Sequence, residues 1–445
     1  MDAQSLIKQV EADQVKFIAL QFTDVSGAVK SVDMPVSRLS VILEEGVWFD
    51  GSSVEGFARI QESDMRLIPD IDTYAVLPWS PDEIRRARMF CDIYLPSGEP
   101  FLGDPRGTLK RVLAKIEERG WTFNVGPEPE FFLFNRREDS TVHPVPHDVG
   151  GYFDFSASDE AVRVRTRLMD ALSSMGLDVE MGHHEVALGQ HEIDFRFADA
   201  VQAADNILTM KYTVKAIAAA HGLVASFMPK PIFGENGSGM HCHQSLFDSK
   251  GKNLFYDSDD EHNLTKLAYG FIAGQLKHAK ALAAIVAPTV NSYKRLVPGY
   301  EAPVYVGWAH KNRSALIRIP HHTVGREQSL RAELRFPDPS ANPYLALAAM
   351  LAAALDGIDN ELTPPDALEN INIYELTEED RKAKNIDALP GSLAEAMREL
   401  DKDTLIQEAL GPVVFDAFSR AKWAEVDEHR THVTDWELDR YLETA

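Results

Sequence analysis

Gly126-Pro-Glu-Pro-Glu-Phe-Phe-Leu-Phe134 reads as a β-strand with two carboxylates, Glu128 and Glu130, on one face. Residues two apart on a strand point to the same side. Adjacent carboxylates repel unless a cation lies between them. The plainer alternative is a pair of solvated glutamates on a sheet edge. Pro129 removes one ladder donor and keeps the segment extended.

Outward from this strand, the chain alternates extended and helical patterns. Upstream, Ser5–Gln14 reads as a short amphipathic helix, and Phe17–Phe22 with Ala28–Val32 as a hairpin around Asp24-Val-Ser-Gly27. Extended segments continue to about Tyr94. The cluster Pro96-Ser-Gly-Glu-Pro100, followed by Gly103-Asp-Pro105, marks a boundary. It divides a strand-rich unit, 1–100, from a larger one, 101–445. In the second unit, helices are expected at Thr108–Arg119, Asp159–Met175, Ala203–His221 and Leu264–Ala287. Asn342-Pro343 opens a further helix to about Leu355, with Asn as N-cap and Pro in the first turn. That helix is apolar on every face and is expected to be buried. Ser392 and Glu395 form a capping-box start. The polar stretch Asn360–Gly391 reads as a surface excursion.

More carboxylates and histidines recur at strand spacing. In His183-His-Glu-Val-Ala-Leu-Gly-Gln-His-Glu192, a two-residue turn at Leu188-Gly189 would set Glu185 opposite Glu192. Like charges across a ladder destabilise a sheet, so a bound cation is again implied. A solvated hairpin face is the bland alternative. Asn236-Gly-Ser-Gly-Met-His-Cys-His243 adds His241 and His243, with glycines that let the backbone approach a ligand closely. Cys242 would point away from both histidines. A mixed oxygen site with one histidine suits Mg²⁺ or Mn²⁺ better than zinc.

Residues 294–335 form a basic island of net charge +5 in a chain of net charge −24. Its arginines include Arg295, Arg313, Arg318 and Arg335, and Glu333 lies among them. Arginine forks hold carboxylates and phosphates in a fixed plane. Oxygen ligands for two hard cations beside an arginine cluster are what phosphoryl transfer from Mg·ATP requires. The sequence has no Gly-x-x-x-x-Gly-Lys loop and no kinase signature.

Composition narrows the partners. A hydrophobic share of 44% and a charged share of 26% are those of an ordinary globular protein. A pI near 5.0 argues against nucleic acid. The two cysteines, Cys91 and Cys242, are far apart and suit a reducing compartment. The polar N-terminus lacks a signal-peptide core, and no apolar run is long enough to span a bilayer. The expectation is a cytoplasmic protein without a membrane partner.

Taken in order, these motifs resemble the bacterial type I glutamine synthetase family. The resemblance rests on Phe22-Thr-Asp-x-x-Gly27, Asp50-Gly-Ser-Ser-x-x-Gly-Phe57, the Glu128/Glu130 and His183–Glu192 segments, and Lys230-Pro with Asn236–His243. It continues through Asn291–Pro303, Asn312-Arg-Ser-Ala315 and Arg335-Phe-Pro-Asp-Pro339, so it spans nearly the whole chain. It implies an α+β fold: a small N-terminal β-grasp domain and a large catalytic domain with a curved, mainly antiparallel sheet and flanking helices. It implies synthesis of L-glutamine from L-glutamate, ammonium and ATP through γ-glutamyl phosphate, with two or more Mg²⁺ or Mn²⁺ ions per site.

Carried onto this chain, the resemblance assigns Glu130, Glu185 and Glu192 to the first metal, and Glu128, His241 and Glu333 to the second. Glu180, His243, Ser245, Arg313 and Arg318 match nucleotide or phosphate positions. Asn236, Gly237, Arg295, Glu301 and Arg335 match the glutamate site, Glu301 being the acid that shields the acyl phosphate from water. Asp50 and Asp64 match the ammonium pocket, contributed by a neighbouring subunit. The implied assembly is a dodecamer of two stacked hexameric rings. Asn372-Ile-Tyr-Glu-Leu-Thr-Glu378 lacks the two prolines of the adenylylated subclass, which points to the alpha-type subclass despite Tyr374. Arg59 matches a position tied to feedback by glutamine, and a nitrogen-regulatory partner is compatible with that class. The alternative is a related ligase that joins glutamate to a polyamine.

Overall fold

The computed structural model describes residues 1–52, 54, 64–136, 144–155, 160–300, 302–310, 312–321, 325–369, 371, 373–384 and 386–444. Glu301 and Arg59 lie outside the described residues.

Two sheets organise the chain. The first is built from β1 (Phe17–Thr23), β2 (Val29–Pro35), β3 (Val47–Asp50), β4 (Asp64–Pro69), β5 (Ala75–Val76) and β6 (Arg86–Tyr94). Its order is β2-β1-β6-β4-β3, with β5 paired to β6; only β1 and β6 run parallel. The helix Ala3–Ala12, capped by Asp2, buries Leu6 and Val10 into the core of this sheet. Between β1 and β2, Asp24 closes the turn by accepting from Ala28 N at 2.9 Å.

The second sheet contains β7 (Trp121–Asn135), β8 (Val179–His184), β9 (Gln190–Phe195), β10 (Ala198–Asp199), β11 (Leu223–Ser226), β12 (Met240–Asp248), β13 (Trp308–His310), β14 (Ile317–Ile319) and β15 (Ala332–Leu334). The order is β13-β14-β15-β12-β7-β9-β8, with β10 and β11 also on β7. All pairs except β13–β14 are antiparallel. The Glu128–Phe134 segment lies in β7, which begins seven residues before it, at Trp121, ends one residue after it, at Asn135, and is the strand on which the sheet is assembled.

Helix Pro343–Asp359 forms where Asn342-Pro343 predicts it. The Asn342 side chain accepts from Tyr344 N and Leu345 N, and the helix is buried nearly all round. It crosses helix Lys266–Lys277 backbone to backbone: a Cβ at Gly274 would lie 2.1 Å from Ala353 O, and one at Gly357 2.0 Å from Gly270 O. Leu264–Ala287 is not one helix. It breaks at His278 into Lys266–Lys277 and Ala279–Val286. The His278 ring bridges Asp403 at 2.6 Å and Asp356 at 3.1 Å, a tertiary demand that helical periodicity cannot reveal. At Ser392 the expected box is only half made: Ser392 accepts from Glu395 N, but Glu395 accepts from Gly391 N instead. The excursion 360–391 contains a helical turn, Ile373–Glu375, and a short helix, Glu378–Ala383. Among the described residues no helix is long and apolar enough to cross a membrane.

A buried guanidinium helps to join the two sheets. Arg106 contacts Asp92 and Asp70 of the first sheet at 2.8 Å each, and Asp205 of helix Ala200–Ala220 at 3.0 Å. The Tyr344 hydroxyl donates to the same Asp205 at 2.5 Å. Asn342 adds a second tie by donating to the carbonyls of Asp24 and Val25. Arg106→Ala would leave Asp205 buried without its counter-charge. We expect a loss of about 3–5 kcal/mol in urea unfolding; a loss below about 1 kcal/mol would remove Arg106 as the domain lock.

Candidate active site

The register of five strands, β7, β9, β12, β14 and β15, builds the site. Across β7 and β12, Glu128 faces His241; across β7 and β9, Glu130 faces Glu192. Across β12 and β15, His243 faces Glu333, which in turn pairs with Arg318 on β14. Every partner sits at strand spacing, so the side chains converge on one face. All of them except His243 line a cavity of about 450 Å³ together with Glu185, Asn236, Gly237, Arg295, Arg313 and Arg335.

Glu128, His241 and Glu333 form one cluster able to hold a cation. His241 Nδ1 lies 3.6 Å from Glu128 and 3.7 Å from Glu333. Burial, then Arg335, lowers His241 to about 4, so its ring is neutral and able to ligate near pH 7. Burial works to raise Glu128, yet His243 and His241 hold it well below the usual carboxylate range. His243 Nε2 is 2.7 Å from Glu128, while its Nδ1 accepts from Arg331 Nε at 3.0 Å. An arginine can only donate, so His243 must carry its proton on Nε2 and donate it to Glu128. Arg331, without a role in the sequence reading, thus sets a tautomer.

The second cluster is His183, Glu185 and Glu192, with His183 3.5 Å from each carboxylate. Glu185 does not face Glu192 across a two-residue turn. His183 occupies that register position, and Glu185 begins the connection to β9, where its N–H donates to Gln190 O at 2.8 Å. Gly189, at φ +69°, closes this longer turn; a Cβ there would meet Leu133 O at 2.8 Å. Glu130 stands beside the cluster, accepting from Gln190 Nε2 at 2.7 Å and Gly239 N at 3.1 Å. Burial and then Glu185 push Glu130 up, and burial and then Glu130 push Glu192 up. Asp194, two residues on, is also buried, and neither of its oxygens finds a hydrogen-bond partner among the described residues. Arg295 and Arg335 compensate Glu130 only in part, and the hard oxygen donors of these acids fit Mg²⁺ or Mn²⁺.

His147, Asp148 and His191 are a third group of metal-binding types. Here hydrogen bonds already account for the geometry. Arg165 lies 2.9 Å from His191 Nδ1, which fixes the neutral ring's proton on Nε2, 3.1 Å from His147 Nε2. His184 lies 3.1 Å from Asp148, whose carboxylate also accepts from Gly189 N at 2.8 Å. The group braces the turn between Glu185 and Glu192.

The arginines take separate places. Arg295 is buried and donates to the carbonyls of Phe336, Pro337 and Arg335. The glycines of Asn236-Gly-Ser-Gly239 are required beside it: a Cβ at Gly239 would lie 2.5 Å from its guanidinium. Arg318 Nε is 2.7 Å from Glu333, and Arg335 pairs with the same carboxylate. Tyr152, Phe153, Met181, His183 and Tyr300 also line the cavity. Sequence reading missed them, because no spacing rule links 152 to 300. Glu180, His243, Ser245, Asp50 and Asp64 are not in the lining of this cavity. Asp50 and Asp64 instead face each other across β3 and β4, both exposed.

A sheet presenting two cation-binding clusters opposite arginines defines a metal-assisted enzyme of phosphoryl or acyl transfer. Residues 14–96 match the family described as "Glutamine synthetase, beta-Grasp domain", and 102–441 match "Glutamine synthetase, catalytic domain". Glutamine synthetases of Halobacterium salinarum and Clostridium saccharobutylicum are each 51% identical, over 99% of this chain and 96% and 98% of theirs. A GmaS/ADP complex superposes with TM-score 0.87 at 33% identity over 98% of this chain and 99% of that one. Plasmodium falciparum glutamine synthetase does so with TM-score 0.87 at 26% identity over 99% of both. The chain belongs to the glutamine synthetase family. Its reaction is ATP-dependent synthesis of glutamine from glutamate and ammonia.

Because Glu130 and Glu192 titrate above the ordinary carboxylate range, the folded metal-free protein binds protons that the unfolded chain releases. The contribution of these two groups to stability therefore falls as pH rises above that range. Mg²⁺ or Mn²⁺ should reverse the trend, adding about 2.7 kcal/mol at a hundredfold excess over Kd and stabilising more at pH 8 than at pH 5.5. Thermal melts with and without cation at both pH values check this; equal stabilisation at both would remove the two glutamates from the cation sites.

Proposed function

We propose that catalysis is centred on this cavity and completed by residues beside it, and that the convergence of two cation clusters with four arginines is the observation that carries the reading. Glu130, Glu185 and Glu192, with His183 close by, hold one divalent ion; Glu128, His241 and Glu333 hold another. Two or more Mg²⁺ or Mn²⁺ ions bound there would neutralise phosphate charge. Glu180, His243, Ser245, Arg313 and Arg318 serve ATP. Asn236, Gly237, Arg295 and Arg335 orient glutamate so that a γ-carboxylate oxygen faces the γ-phosphorus.

The carboxylate oxygen forms a bond to phosphorus as ADP leaves, and the acid becomes a γ-glutamyl phosphate. Arg335 and Arg318, on either side of Glu333, are placed to follow the charge as it moves. Asp50, with Asp64 beside it, takes a proton from ammonium. The resulting ammonia attacks the acyl carbon, phosphate departs with the bonding electrons, and the surplus proton on nitrogen leaves with the phosphate to give the neutral amide. Glu301 keeps water from the acyl phosphate during this interval.

Asp50 lies outside the cavity of its own chain, which supports a site completed by a neighbouring copy. We place the protein in a dodecamer of two stacked hexameric rings, in the alpha-type subclass with feedback at Arg59. Its domains are 1–100 and 101–445, its setting is the cytoplasm, and a nitrogen-regulatory protein partner fits that subclass.

The deciding assay supplies purified protein with ATP and glutamate and compares phosphate release with ammonium and with putrescine. Ammonium is expected to be strongly preferred; a preference for putrescine would make the protein a polyamine ligase. Glu301→Ala is expected to retain glutamate phosphorylation while releasing more phosphate than glutamine. Unchanged coupling would place water exclusion elsewhere.

A further inference from the structure

The excursion 360–391 is not a free surface feature. It wraps the segment that carries Arg313. Asn312 donates to the carbonyls of Leu368 at 3.0 Å and Ile371 at 2.8 Å, and Trp308 Nε1 donates to Pro365 O at 2.7 Å. Val306 N and Leu389 N complete backbone links of 2.7 and 2.8 Å to Asp387 and Val304. Leu368, Ile373 and Ile386 share a small core with Ala309 and Ala315. The two segments are packed together as one unit.

Tyr374 is where this body meets the site. Its hydroxyl donates to Ala302 O at 2.8 Å. Its ring packs against Tyr305 at 6.2 Å, and Arg381 lies over Tyr305 from 4.6 Å. Ala302 and Tyr300 both line the cavity. Tyr300 is held from the other side by Lys230, whose ammonium stands 3.7 Å from its ring centroid. The buried Arg295 guanidinium is within electrostatic reach of the Tyr374 phenol.

We propose that Tyr374 is a positioning residue: its hydroxyl pins the Ala302 carbonyl and so holds the cavity wall that keeps water from the activated glutamate. The inference rests on the glutamine-forming reading above. Without the pin, water can enter, attack the acyl carbon of γ-glutamyl phosphate and release phosphate, regenerating glutamate. Ammonia and water then compete for one carbon, and ATP is spent without amide formation.

Tyr374→Phe removes the hydroxyl alone. The test measures phosphate released per glutamine formed across ammonium concentrations, with the melting temperature as a control. At low ammonium the ratio is expected to rise above the wild-type value by up to about fivefold, the factor that one net hydrogen bond is worth. It should return toward the wild-type value as ammonium is raised, with the melting temperature unchanged. A ratio equal to wild type at every ammonium concentration would overturn the proposal, even if the turnover number fell. So would a raised ratio that ignores ammonium, because water would not then be the competitor. The wild-type enzyme separates the two readings: if it forms no glutamine from ammonium, the function itself fails rather than the role of Tyr374.

Discussion

Everything at the site depends on like charges held together on the face of β7. Glu128 and Glu130 come from one strand, and the register adds Glu192 on one side and Glu333 beyond β12 on the other. Removing carboxylates from water without a partner is costly. The structure answers this differently at the two clusters. Around Glu128 and Glu333, histidines and arginines supply compensation, and both carboxyls are held low. Around Glu130 and Glu192 the compensation is incomplete, and both are pushed up. A bound divalent cation would supply the charge that is short there.

The same economy explains the glycines and the buried arginine. Arg295 sits where Gly237 and Gly239 leave room, and backbone carbonyls rather than acids accept its protons. A guanidinium satisfied by carbonyls rather than by an acid leaves its positive charge un-neutralised inside the cavity. Behind the sheet, the His147–Asp148–His184–His191 group holds the Glu185–Glu192 turn. The placement of Glu185 and Glu192 is thus set by residues outside the carboxylate cluster itself.

Much of this was legible locally. The strand at Glu128–Phe134, the Asn342-Pro343 cap and the first hairpin follow from alternation, capping and turn chemistry, which act over a few residues. The errors arose where a distant partner decided the outcome. His278 breaks a helix because Asp356 and Asp403 wait beside it. Glu185 leaves the ladder because Gln190 is bound back into the turn. Arg331 and Tyr374 had no local signature at all, since each acts through one hydrogen bond to a residue 88 or 72 positions away.

The sequence by itself determined the ligand types, the arginine supply and the elements that carry them, because residue chemistry and spacing along a strand are local properties. Its ordered motifs also determined the family. Only the tertiary structure decided which acids share a cluster, which histidine tautomer faces Glu128, and that 360–391 braces the wall of the site. Those outcomes depend on strand register and long-range packing, which bring together residues that spacing leaves unrelated.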